Sequence, residues 1–120
     1  MATITRTMYR GDSLRLNMAI TRDLLPVDLT GATIRMTAKH AWTDDDSAAV
    51  FQVSTPSSGI VITNVALGLA EVNVPAAETL AFTVMTTLVY DIQLTESVGI
   101  VTTLEAGLLT VYPDITRTQP

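Results

Sequence analysis

At 120 residues, with no cysteine and one histidine, the chain has the length of a single domain and lacks the residues for a disulfide framework, a catalytic thiol or a Cys-based metal site. Seven basic residues against twelve acidic ones give a net charge of −5. That balance argues against nucleic acid as a partner, since phosphate binding draws on clustered Lys and Arg.

The first residues, Met-Ala-Thr-Ile-Thr-Arg, show no basic stretch followed by an apolar one, and no window approaches the roughly 20 apolar residues that span a bilayer. A soluble chain made in a cytoplasm, with no membrane partner, is therefore expected. Residues Ser13 to Thr21 then alternate, with Leu14, Leu16, Met18 and Ile20 on one face and Arg15, Asn17, Ala19 and Thr21 on the other, the period of a half-buried strand. Pro26 and Thr30-Gly31 punctuate a loop, after which Ile34, Met36 and Ala38 alternate with Thr33, Arg35, Thr37 and Lys39 in a second strand. A short strand is expected over Val50 to Val53, ended by Ser57-Ser58-Gly59. Ile60 to Thr63 and Leu69 to Val74 read as a hairpin through Asn64 to Gly68.

Pro75-Ala-Ala-Glu-Thr-Leu-Ala places proline where a first helical turn tolerates it, so a helix of one or two turns is expected, anchored by Leu80 or Phe82. Leu88, Tyr90, Ile92 and Leu94 define the next strand, and a Ser97-Val98-Gly99 turn leads into the last, Ile100 to Tyr112. Its parity fails: Leu104 is even, whereas Leu109 and Val111 are odd, so a bulge or bend near Glu105 to Gly107 is expected. With no linker, repeat or low-complexity tract, residues 1–120 read as one all-β domain. The pattern is that of an antiparallel, immunoglobulin-like β-sandwich of seven or eight strands with one short connecting helix.

Chemistry-bearing residues are sparse. His40 stands at a strand end beside no serine, so the base of a nucleophilic dyad has no evident partner. Asp44-Asp45-Asp46 are adjacent in a loop and point in different directions, unlike a carboxylate pair, and their spacing lacks the alternation and glycine of an EF-hand. Arg10-Gly11-Asp12 spells an adhesion tripeptide at a place where a turn is needed, and it reads as turn chemistry. No catalytic, cofactor-binding or metal-ligating residue is assigned, and the chain reads as a binding module rather than an enzyme.

Candidate interface residues are Arg15, Arg35 and Lys39, which alternation places on outward faces, and Trp42, the only tryptophan. Trp42 suits an interface anchor, a sugar-stacking platform or core packing at the strand end. Only 16% of the residues are charged, below the 25–35% usual of designed soluble surfaces, which suggests a surface partly covered by neighbours. Residues 1–60 hold six basic and six acidic groups, whereas residues 61–120 hold one and six. A basic outer face docking on the acidic half of another copy is thus one expectation.

Taken together, the stretches YRGDSLRLNMAIT, VDLTGATIRMTAK, SSGIVIT with GLAEVNVPAAET, VYDIQLT and TLEAGLLTVYPDITR resemble small structural proteins of tailed bacteriophages. They look like the immunoglobulin-like N-terminal domain of baseplate upper proteins, from about Tyr9 to Arg117. The resemblance implies a virion component of tail, baseplate or head–tail region that docks onto other virion proteins and copies of itself, without cofactors. Longer members continue into a receptor-binding or fibre-attaching portion, which favours an adaptor or decoration role here. A carbohydrate-binding module, with Trp42 and tyrosines stacking on a glycan, is the alternative.

Overall fold

In the computed structural model, which describes residues 4–55, 59–80, 82 and 84–113, the period-two segments become strands. In chain order these are β1 (Ile4–Tyr9), β2 (Leu14–Ala19), β3 (Thr21–Arg22), β4 (Leu25–Pro26) and β5 (Thr33–Lys39). They continue with β6 (Phe51–Ser54), β7 (Ile60–Asn64), β8 (Leu69–Val74), β9 (Thr86–Thr95) and β10 (Val101–Tyr112). A five-stranded sheet in the order β1-β10-β9-β5-β6 faces a three-stranded sheet in the order β2-β8-β7, and β3 and β4 form a separate hairpin. Reading β2, β5, β6, β7, β8, β9 and β10 as B, C, C′, D, E, F and G gives the strand order of a variable-type immunoglobulin sandwich.

The core lies between the sheets and follows from alternation. Ile34 and Met36 of β5, Leu88 and Ile92 of β9, and Leu109 and Val111 of β10 are buried from one side. Val72 and Val74 of β8 and Ile60 of β7 meet them from the other. Each such aliphatic side chain contributes about 1.5–3 kcal/mol by leaving water, so these positions fix which face of every strand turns inward. Leu14, Leu16 and Met18 on β2 pack against this core and remain half-buried, because β2 is an edge strand.

Two features depart from the expected layout. The sandwich is not wholly antiparallel: β1, absent from the sequence reading, runs parallel to β10 from Ile4 opposite Gly107 to Tyr9 opposite Tyr112. Gly107 makes this possible, since a Cβ there would overlap the carbonyl oxygen of Ile4. The expected helix is one 3-10 turn, Ala76–Thr79, with Pro75 preceding it. Thr79 is its buried residue, while Phe82 packs partly buried on the core. A second 3-10 turn, Asp46–Ala48, occupies the acidic loop.

The parity break in the last strand is a register shift between Thr103 and Glu105, just before the expected bend. Beyond it odd positions face inward, so Glu105 turns toward the interior beside Tyr90 of β9 and Arg6 of β1. Arg6 Nε and Nη2 donate to the two Glu105 carboxylate oxygens at 2.6 and 2.7 Å, and the Tyr90 hydroxyl donates to the same carboxylate. The Arg6 guanidinium holds Glu105 below the ordinary carboxylate range, and burial pushes the Tyr90 hydroxyl up to about 12. An inward charge pair of this kind at a sheet margin discourages further strands from adding there. The expected Arg10–Asp12 turn is present. Ser57 and Ser58, Ala81 and the stretch after Pro113, which carry parts of the sequence reading, lie outside the described residues, as do Met1 to Thr3.

Candidate functional site

The cross-strand register of β5 and β9 sets Arg35 opposite Gln93, Thr37 opposite Asp91 and Lys39 opposite Val89 on the outer face of the larger sheet. The loop after β5 folds back over this face. Lys39 Nζ donates to the Asp44 carbonyl and lies 2.8 Å from Asp46 Oδ1, while Asp44 Oδ2 accepts from the Ala41 backbone N–H at 3.2 Å. The acidic run therefore closes its own loop. It also frames a cleft of about 320 Å³ lined by Arg35, Thr37, Lys39, Trp42, Asp91 and Gln93.

Three charged groups around the cleft, Lys39, Asp46 and Asp91, are shifted by their surroundings. The hydrogen bond to Asp46 raises Lys39, and the same contact lowers Asp46. Asp91 is raised, chiefly because partial burial penalises its charge, against an opposing pull from Lys39. The Arg35 side chain makes neither a hydrogen bond nor a close ion pair among the described residues, and its charge reaches Asp46 only at longer range. Trp42 is 65% exposed, so the core-packing option for it is excluded and its ring is open to a ligand. An open indole beside an unpaired guanidinium and a half-buried carboxylate suits an amphipathic guest, a side-chain cluster or a sugar ring.

Of the four candidate interface residues, Arg35, Lys39 and Trp42 come together here, but Arg15 does not. It lies on β2 in the opposite sheet, where its Nη2 meets Glu71 Oε1 of β8 at 2.7 Å. Alternation showed that Arg15 faces outward; it could not show from which sheet. The expected single basic face is therefore two separate surfaces. His40, at the end of β5, makes an edge-to-face contact with Phe82 at 6.1 Å between ring centroids. Among the described residues no group of three His, Cys, Asp or Glu side chains is placed to hold a metal ion.

A second surface escaped the sequence reading. The segment from Ile20 to Gly31, the β7–β8 turn and the β9–β10 turn gather at one end of the sandwich. Ile20 N–H donates to the Gly68 carbonyl at 2.8 Å, Leu29 N–H to the Val65 carbonyl at 3.0 Å, and Arg22 Nη2 meets Glu96 Oε2 at 2.9 Å. Gly68, at φ +68°, admits the approach of the Ile20 and Val27 carbonyls, which a Cβ would block. This end exposes Leu24, Leu25, Leu67, Val98, Ile100 and Val101. The adjacent pair Leu24-Leu25, in a stretch from Thr21 to Pro26 without glycine, was the one available signal.

A second cleft, of about 490 Å³, opens between the sheets beside edge strand β2, with Leu16 and Met18 on one wall and Leu104 and Glu105 on the other. Compared with models of known protein families and with curated protein sequences, the chain matches none.

Proposed function

We propose that this protein is a non-enzymatic structural component of a tailed-bacteriophage virion, an adaptor or decoration module of the tail, baseplate or head–tail region. It is made in the host cytoplasm and incorporated by docking onto symmetric neighbours, other virion proteins and copies of itself. The observation that carries this reading is the group of exposed aliphatic side chains at the three-loop end, in a chain with only 16% charged residues. Exposed aliphatic side chains gathered on loops tied together at one end are a feature of interfaces. The strand order of the sandwich agrees with the fold that the phage resemblance implies. Mass spectrometry of purified virions should find the polypeptide in fixed ratio to the other tail or capsid proteins, and particles that lack it overturn the proposal.

Exposed Trp42 at the rim of a polar cleft favours a second reading, glycan attachment. A glycan array that lights up with the native protein and falls silent with Trp42→Ala supports this second reading. Silence with both, and unchanged host adsorption, removes it.

A further inference from the structure

The β3–β4 hairpin closes through Asp23 and Leu24, with Arg22 paired to Leu25. Both central residues have positive φ, +54° and +67°, the signature of a type I′ turn, where Asn-Gly or Asp-Gly is preferred. Leucine in this backbone region carries a steric penalty. It obtains no compensating burial, since Leu24 is 95% exposed. A strained backbone that holds an aliphatic side chain fully in water points to a role outside the free domain.

The Trp42 cleft offers complementary chemistry. It has an open indole for an aliphatic guest and, in Arg35, a guanidinium that makes no close ion pair among the described residues and acts only at longer range on Asp46. At the hairpin tip, Asp23 makes no side-chain hydrogen bond or close ion pair among the described residues, its charge acting only at longer range on neighbouring Arg22. The tip belongs to the end where β5 begins, whereas Trp42 and Asp46 follow the end where β5 finishes. Within one copy the two do not cover each other, since Leu24 stays 95% and Trp42 65% exposed.

We propose that copies of this chain associate head to cleft, the Asp23-Leu24 tip of one copy entering the Trp42 cleft of the next with Asp23 against Arg35. The proposal deepens the assembly reading above and rests on it. The contact is heterologous, so an associated pair still carries one free tip and one free cleft, and the array grows into a ring or a filament.

The test uses sedimentation velocity with emission from Trp42, the only tryptophan. The native protein is expected to associate as concentration rises toward roughly millimolar, the range of a weak, small interface, with Trp42 emission moving to shorter wavelength as the ring is covered. Leu24→Asp and Arg35→Glu should each weaken association at least about tenfold. Mixed, they should form a one-to-one dimer, because the intact tip of the second fits the intact cleft of the first. Pairing Asp23→Arg with Arg35→Glu in one chain should restore self-association. A native protein that stays monomeric, association without a change in Trp42 emission, or a mixture that fails to pair overturns the proposal. None of these bears on virion incorporation, which the particle composition decides separately.

Discussion

The two ends of the sandwich are built differently. At the end holding Arg10 to Asp12 and the Ala76–Thr79 turn, the loops are sewn together: Gly11 N–H donates to Thr79 Oγ1 at 3.0 Å and Arg10 Nε to the Leu80 carbonyl at 2.9 Å. Thr79 is fully buried. At the three-loop end the backbone is also tied, but the side chains above it are exposed aliphatics on a strained hairpin. The first end also exposes Val84 and Met85, yet its polar groups are satisfied internally and its backbone is relaxed among the described residues. The contrast teaches that the Arg10 and Thr79 loops of one end are finished within the chain, whereas the hairpin of the other, like the Trp42 cleft, is finished only when something covers it.

The largest effect is expected from opening the finished end. Thr79→Val keeps the shape and removes the acceptor of the buried Gly11 N–H, at a cost of about 2 kcal/mol, measurable as a lower urea midpoint. Amide exchange should accelerate at Gly11 while Ile20 and Leu29 stay protected. Equal acceleration at all three means that the ends are not independent.

Between the ends lies the Arg6–Glu105–Tyr90 cluster, which should move both together. Glu105→Gln is expected to cost about 1–2 kcal/mol, less than a fully buried pair, because Arg6 keeps 34% of its side chain exposed to screening water. The sign with pH follows from the lowered carboxyl. Its stabilisation is complete above the ordinary value of 4.5 and is lost as pH falls through the lower folded value. The native protein should therefore lose stability with acid more steeply than Glu105→Gln, in parallel denaturant melts at pH 7 and pH 3. Identical slopes refute the assigned shift.

The smallest effect has the opposite sign. Leu24→Gly suits the type I′ turn and should raise stability by about 0.5–1 kcal/mol while weakening association. A domain more stable yet less able to assemble would mark the open end as strained for function. If the variant is destabilised, the positive φ of Leu24 is not strained.

Most of the fold was legible because half-buried strands advertise themselves by alternation, as in Leu14 to Ile20 and Ile34 to Ala38. One strand escaped: β1 was invisible because Arg6 occupies an inward position. The parity break of the last strand was legible as a bulge, and what the sequence did not disclose is that the register shift turns Glu105 inward to meet Arg6, a pair that only the folded chain brings together. Arg35, Lys39 and Trp42 were readable from face and composition. The loop cluster was not, since Leu24, Leu67 and Val98 are distant in sequence and only tertiary hydrogen bonds such as Leu29 to Val65 bring their loops together.

The parallel pairing of β1 with β10 also has a mechanical consequence. The ladder runs from Ile4 beside Gly107 to Tyr9 beside Tyr112, so tension applied ahead of Ile4 and beyond Tyr112 pulls on its opposite ends. Load is then shared by all its backbone hydrogen bonds at once, in shear, instead of breaking them one after another as peeling does. Near that ladder, the Arg6–Glu105 pair clips the same two strands by their side chains. A domain tethered through both flanks would thus yield in a single abrupt step at high force.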